Sequence, residues 1–261
     1  MIIEIEIGLI RTDLSLRVPA TEDSLPLVRQ ALRSVGQTAD ADVDALEDAE
    51  LAVTEALANA VEHAYGEGEG EIRVLVRPDE SSLIVTVSDD GVGMPAEVRR
   101  RSEGRGYGLS MIEGIATSLE IEDDEGTDVR MTFPIGRAVA ETVDGAVPGV
   151  DPTERMVRRL VAVVAAQRDM PSDRLVETLL VAELVARNAL RYLTGDRAQV
   201  SIGGSANGGF ELRAGPLETG GAEAAVSDSD VPVVGPVIAR LADSTETEPT
   251  NGDERLVVRF S

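Results

Sequence analysis

The amino-acid sequence predicts an α+β fold in which one succession of helices and antiparallel strand pairs is laid down twice. Three observations predict it. Short segments such as 72–76 and 83–87 alternate apolar and polar residues with the period of two that marks half-buried strands. Residues 43–65 instead carry apolar side chains at helical spacing, over a stretch too long for a strand. Positions in the second half then repeat those of the first at an offset of 127 to 129 residues.

In chain order, residues 2–18 alternate well enough for one or two strands. A helix follows: Asp23 or Ser24 can cap it, Pro26 suits its first turn, Leu25, Val28, Leu32 and Val35 recur at helical spacing, and Gly36 can terminate it. The longer helix over 43–65 buries Leu46, Ala49, Val53, Leu57, Ala60 and Ala64, and Gly66, Gly68 and Gly70 end it. Segments 72–76 and 83–87, joined by Pro78-Asp79-Glu80-Ser81-Ser82, read as a hairpin. After a glycine-rich loop come a helix over 107–117 and a strand pair, 119–121 with 128–134.

The first domain is expected to span 1–136, and the acidic stretch 137–152, with Gly145, Pro148, Gly149 and Pro152, has the composition of a linker. Beyond it, 235–260 matches 108–133 in length and pattern. Leu179-Leu180-Val181-Ala182-Glu183 resembles Leu51-Ala52-Val53-Thr54-Glu55, and the helix-like stretch 154–166, shifted by a further residue or two, stands where 24–35 stands. Residues 153–261 therefore read as a second copy, against the alternative that any two helix-strand domains share such patterns.

Composition narrows the function. The chain of 261 residues has 43% hydrophobic but only 2% aromatic residues, so its cores are built from Leu, Val, Ile and Ala. With no Cys and 1 His, disulfides, thiolate chemistry and multi-His metal sites are excluded. A formal charge of -24 argues against nucleic acid as a partner, since gripping phosphates requires a basic surface. All 24 basic residues are Arg, a bias compatible with a GC-rich genome or with a salty cytoplasm that screens surface repulsion. No run approaches the roughly 18 apolar residues of a membrane span, and Met1-Ile2-Ile3-Glu4-Ile5-Glu6 does not read as a signal peptide. No membrane association and a cytoplasmic location are the expectation.

Three local patterns carry chemistry. Glu55 and Asn59, four apart on the long helix, project from one face and can converge on a ligand. Asp89-Asp90-Gly91-Val92-Gly93 follows a strand directly; its glycines permit a sharp turn and close approach of a flat ligand, and a buried Asp89 would accept from an exocyclic amine. Gly104-Arg105-Gly106-Tyr107-Gly108 stands at a predicted helix start, where free amides and the helix dipole favour phosphate oxygens. Each alone is more often an ordinary turn or a solvated side chain. The last is neither a dinucleotide fingerprint nor a Walker loop, because the chain has no Lys.

Together, in this order and spacing, the three patterns resemble the GHKL ATPase superfamily, specifically the anti-sigma-factor serine/threonine kinases. Residues 51–65 resemble the N box, 87–95 the first glycine box, 104–112 the second, and Gly126-Thr127 the motif before the final strand; the resemblance covers 12–136. It implies a two-layer α/β sandwich, the Bergerat ATP-binding fold, with ATP and Mg2+ as cofactors. By the same resemblance Asn59 coordinates the magnesium, Asp89 receives the adenine amine, Gly91 and Gly93 shape the adenine pocket, and Thr127 supports it. The amides around Gly104, Gly106, Gly108 and Leu109 hold phosphates, and Glu55 is the general base. Arg105 is either a phosphate contact or a solvated lid residue, and His63 either flanks the pocket or packs. The short segment 94–103 is consistent with a small ATP lid, and no upstream His-bearing dimerisation helix points to a complete histidine kinase.

The second half departs from these motifs. Glu183 corresponds to Glu55, but Arg187 stands where Asn59 would be, and Asn188 is rotated by about 100° around the helix. Gly215-Pro216-Leu217-Glu218 replaces the Asp89 turn, and 232–236 lacks the phosphate loop, so this copy is expected to hold no nucleotide. The resemblance implies a partner-switching kinase that phosphorylates a STAS-like anti-anti-sigma protein or analogous regulator and binds a target such as a sigma factor. The competing readings are a non-catalytic ATP-sensing regulator and a scaffold whose second half carries the interaction. Tandem fusion would make one chain a pseudo-dimer, with contact between the copies held at high effective concentration.

Overall fold

The computed structural model describes residues 2–9, 12–65, 68–93, 107–123, 126–135, 152–168, 170–204, 209–231 and 235–261. The chain forms two compact units, Arg11–Val143 and a second assembled from Met1–Ile10 with Asp144–Ser261.

The first unit contains β2(Leu14–Pro19), α1(Leu25–Thr38), α2(Val43–His63), β3(Glu71–Pro78), β4(Ser82–Asp89), α3(Tyr107–Ile115), β5(Ser118–Glu122) and β6(Thr127–Pro134). Its strands are antiparallel in the order β2-β3-β4-β6-β5. Period-two alternation sends Leu14, Leu16, Val18, Ile72, Val74, Val76, Leu83, Val85, Val87, Met131 and Phe133 to one buried face. Against that face lie Leu27, Val28, Ala31, Leu32 and Val35 of α1 and Leu46, Ala49, Val53, Leu57 and Ala60 of α2, giving a two-layer sandwich.

The first helix corrects the expectation at its end. Gly36 does not terminate α1 but lies inside it, where a Cβ would come within 2.1 Å of Leu46 Cδ2. A glycine here lets α1 and α2 approach closely, a packing constraint that looks like a stop signal in sequence. At the other end Ser24 is the N-cap residue without a capping bond; its hydroxyl donates instead to the Pro19 carbonyl at 2.7 Å.

The second unit runs β1(Ile2–Gly8), α4(Pro152–Ala166), α5(Ser172–Ala189), β7(Arg197–Gly204), β8(Phe210–Leu217), α6(Gly221–Ser227), the short pair β9(Asp230–Val231) and β10(Gly235–Pro236), α7(Val237–Leu241), β11(Ser244–Thr250) and β12(Asp253–Phe260). Its main sheet is antiparallel in the order β1-β7-β8-β12-β11. Helices α4 and α5 bury Met156, Val157, Leu160, Val161, Val164, Val181 and Val185, and Phe210 meets Phe260 edge to face with centroids 6.2 Å apart.

The units differ from the expected spans 1–136 and 153–261 at the N-terminus. Strand β1 pairs with β7 from Ile2↔Gly203 to Gly8↔Arg197, and Glu6 forms an ion pair with Arg197. Alternation of Ile3, Ile5 and Ile7 specifies that one face is buried but not which sheet receives it. Pro152, placed in the linker from sequence, opens α4, where its missing N–H costs nothing; the rest of 137–152 lies outside the described residues. Among the described residues, no helix is long and apolar enough to cross a membrane.

Ile5, 2% exposed, anchors β1 in the second unit. Ile5→Ala is expected to cost that unit about 2–5 kcal/mol. Hydrogen exchange should then quicken in β7, β8 and β12 and stay unchanged in β3 and β4; equal loss in both units would contradict the assignment of β1.

Candidate nucleotide-binding site

The site is framed by α2. Asp42 caps it by accepting from the Ala45 N–H at 2.7 Å, and its apolar face turns toward the sheet. Glu55 and Asn59 are thereby left half-buried, one turn apart on the same flank. His63 is 61% exposed with Glu62 at 3.9 Å, so it stands in solvent rather than in the core.

Asp89 ends the inner strand β4, paired with Ile72 of β3 and Thr127 of β6, and is only 7% exposed. Its Oδ1 accepts from the Gly91 N–H at 3.0 Å, and the Thr127 N–H donates to the same carboxylate. Burial nevertheless pushes the Asp89 carboxyl above the ordinary carboxylate range; the two backbone donors oppose that rise, and nearby Asp90 and Asp128 add to it.

Glycines make this arrangement possible. A Cβ on Gly91 would lie 2.2 Å from the Ala64 carbonyl oxygen at the end of α2, which also accepts from the Val92 N–H at 2.9 Å. Gly126, at φ +110°, passes so near the strand end that a Cβ would meet the Asp89 carbonyl oxygen at 2.0 Å. Gly93 takes φ +72°. The structure thus brings Asp89, Gly91, Gly93 and Thr127 together at the C-terminal end of α2, about 7.5 Å along the axis beyond Asn59. Leu109, half-buried, and Gly108 lie in the first turn of α3, a helix packed on α2. Gly104, Arg105 and Gly106 lie outside the described residues.

Sequence reasoning assigned no role to Tyr65, whose hydroxyl bonds to both β3 and the Asp89 turn. The available signal was an aromatic just past α2 in a chain with 3 tyrosines.

In the second unit Arg187, the residue the sequence repeat would set at the place of Asn59, is paired with acids of the same unit. Arg187 donates to Glu154 Oε2 from Nε at 3.0 Å and Nη2 at 2.8 Å, and to Glu183 Oε1 at 3.1 Å. Glu154 is 5% exposed, while the Arg187 side chain is 37% exposed, so a buried acid is paired with a cation that water still reaches. Asn188 is buried and donates to the Ala225 carbonyl at 2.9 Å, committed to packing α5 on α6.

The histidine kinase-like ATPase domain family matches residues 18–133, the stretch that contains Asp89, its glycine turns and the helix bearing Glu55 and Asn59. The chain is 34% identical over 142 residues to the serine-protein kinase RsbW of Listeria innocua, a match covering 49% of this chain and 90% of that protein. Similarity to the serine-protein kinase RsbW of Bacillus thuringiensis is 29% over 141 residues, covering 49% and 88% respectively. A blue-light activated histidine kinase of Erythrobacter litoralis has a solved structure with TM-score 0.33 and 25% identity, spanning 38% of this chain and 33% of that one. The chain belongs to the GHKL family of histidine kinase-like ATPases.

The raised Asp89 pKa has a measurable consequence. A carboxyl whose folded pKa lies above its unfolded value contributes stability that is present below the unfolded value and lost as pH rises through the folded one. At neutral pH its charge is therefore a cost. Asp89→Asn keeps an oxygen for the Gly91 N–H without ionising, so it should be more stable than wild type at about pH 7, with the gap narrowing toward about pH 5. Urea midpoints at both pH values check this; a gap independent of pH would mean the carboxylate is not desolvated.

Proposed function

We propose that the first unit is an ATP- and magnesium-dependent serine/threonine protein kinase of the anti-sigma-factor, partner-switching type, acting in the cytoplasm on a STAS-like antagonist protein. The observation that carries this reading is the buried Asp89 acceptor, held in a glycine turn against the helix that bears Glu55 and Asn59. Similarity to proteins named serine-protein kinase supports it.

The residues present fit ATP. A desolvated carboxylate that already takes backbone N–H donors is an acceptor suited to an exocyclic amine, and the glycines at 91 and 126 let the backbone close tightly around it beside Thr127. Asn59 would hold magnesium, an ion commonly bound by one or two side chains together with substrate phosphates. The amides of Gly104, Gly106, Gly108 and Leu109, with Arg105, would cradle the phosphates at the start of α3. When bound, magnesium neutralises charge on the transferring phosphoryl group. Glu55 accepts the proton of the attacking serine or threonine hydroxyl as its oxygen bonds to the γ-phosphorus and the bond to ADP breaks.

The second unit, in this reading, is a degenerate copy, and the chain acts as a pseudo-dimer with one nucleotide site. Support comes from topology: numbered in chain order within their main sheets, both sets of strands lie in the order first, second, third, fifth, fourth, with two helices following the first. Arg187 occupies the place where magnesium would need a ligand, and its ion pairs engage Glu183, the match for Glu55. A sigma factor or analogous regulator is the proposed binding target.

Calorimetry should find one ATP per chain. Asp89→Asn should weaken binding about tenfold to a hundredfold, the loss of one charge-assisted hydrogen bond, and unchanged affinity would remove Asp89 from adenine recognition. Glu55→Gln should bind ATP almost normally yet transfer labelled phosphate to a STAS partner about 10²- to 10⁴-fold more slowly. If wild type binds ATP but phosphorylates no partner encoded beside it, the ATP-sensing regulator replaces the kinase.

A further inference from the structure

Two consecutive residues at the end of α2 hold three consecutive residues of the turn after β4. Ala64 accepts from the Val92 N–H at 2.9 Å and leaves no room for a side chain on Gly91. The Tyr65 hydroxyl accepts from the Asp90 N–H at 3.0 Å and donates to the Glu71 carbonyl at 2.5 Å. Because a phenol has one proton, donation to Glu71 directs an oxygen lone pair at Asp90. The ring is held as well: a Cβ on Gly70 would lie 2.3 Å from Tyr65 ring atoms, so strand β3 begins in contact with it. A further tie on the turn, Arg73 to Asp90 at 2.7 Å, joins side chains 50% and 69% exposed and is worth little in water.

We propose that Tyr65 is a positioning residue for purine selectivity, fixing the turn that aims the Asp89 carboxylate and thereby favouring adenine over guanine. The inference rests on the assignment of Asp89 to the adenine amine. Adenine presents an amine where guanine presents a carbonyl, so a rigidly aimed carboxylate attracts the one and repels the other. A carboxylate on a loosened turn can withdraw from the carbonyl and loses that discrimination, while phosphate contacts are unaffected.

Tyr65→Phe removes both hydrogen bonds and keeps the ring. ATP and GTP affinities of the full chain, measured in the presence of magnesium, should show ATP weakened about threefold to tenfold and GTP unchanged or improved, so the ATP:GTP ratio falls. Amide exchange at Asp90 should quicken while the melting temperature barely moves. Arg73→Ala should leave the ratio in place. An equal loss for both nucleotides, or an intact ratio in Tyr65→Phe, overturns the proposal. In the second case Asp89→Asn separates the causes: if that variant loses the ratio, adenine recognition by Asp89 stands without Tyr65, and if it too keeps the ratio, the Asp89 assignment falls with the proposal.

Discussion

An ionisable side chain buried at the end of an inner strand is the constraint on which the first unit turns. Asp89 lies in the middle of its sheet, with β3 on one side and β6 on the other, and water reaches little of it. Such a group persists where backbone donors meet its oxygens, and here Gly91 and Thr127 supply them. Supplying them forces the chain to fold back at once after β4, under the end of α2 and beside β6. Space for that exists only without Cβ atoms at Gly91 and Gly126. The glycine pattern, the placement of α2 and the chemistry of the site are thus one requirement expressed three times.

The second unit places its charges differently. Its helix α5 buries an apolar face and carries Glu183, and Arg187 bonds to that acid and to Glu154. A guanidinium with carboxylates on both sides has its charge met within the unit. Removing Arg187 would leave the Glu154 carboxylate, on a side chain 7% exposed, without that cation, a costly state for a charge held away from water.

Periodicity made most elements legible, because burial of one face imposes a period that needs no knowledge of the partner. The helix over 43–65 is α2, and the hairpin over 72–87 is β3 and β4. What periodicity cannot convey is which surfaces meet. Gly36 reads as a helix stop until Leu46 is seen against it, and Ile3, Ile5 and Ile7 read as part of the first domain until β7 is seen beside them. Asp89, Gly91 and Asn59 were legible as a set only through family resemblance, since each alone is an ordinary turn or surface residue. Tyr65 escaped notice because its hydroxyl bonds to backbone atoms, at Glu71 and Asp90, which leave no side-chain pattern in the sequence.

The placement of β1 gives the molecule an order of assembly. Synthesis delivers residues 2–8 ahead of the other described strands, while β7 begins at Arg197, so that pairing waits until nearly the whole intervening chain has emerged. The strands β2 to β6 of the unit over Arg11–Val143 have all emerged by then. A nascent chain therefore carries its isoleucine-rich strand for most of synthesis before β7 exists, and the edge that β7 covers is closed to other chains only when the second sheet forms on it.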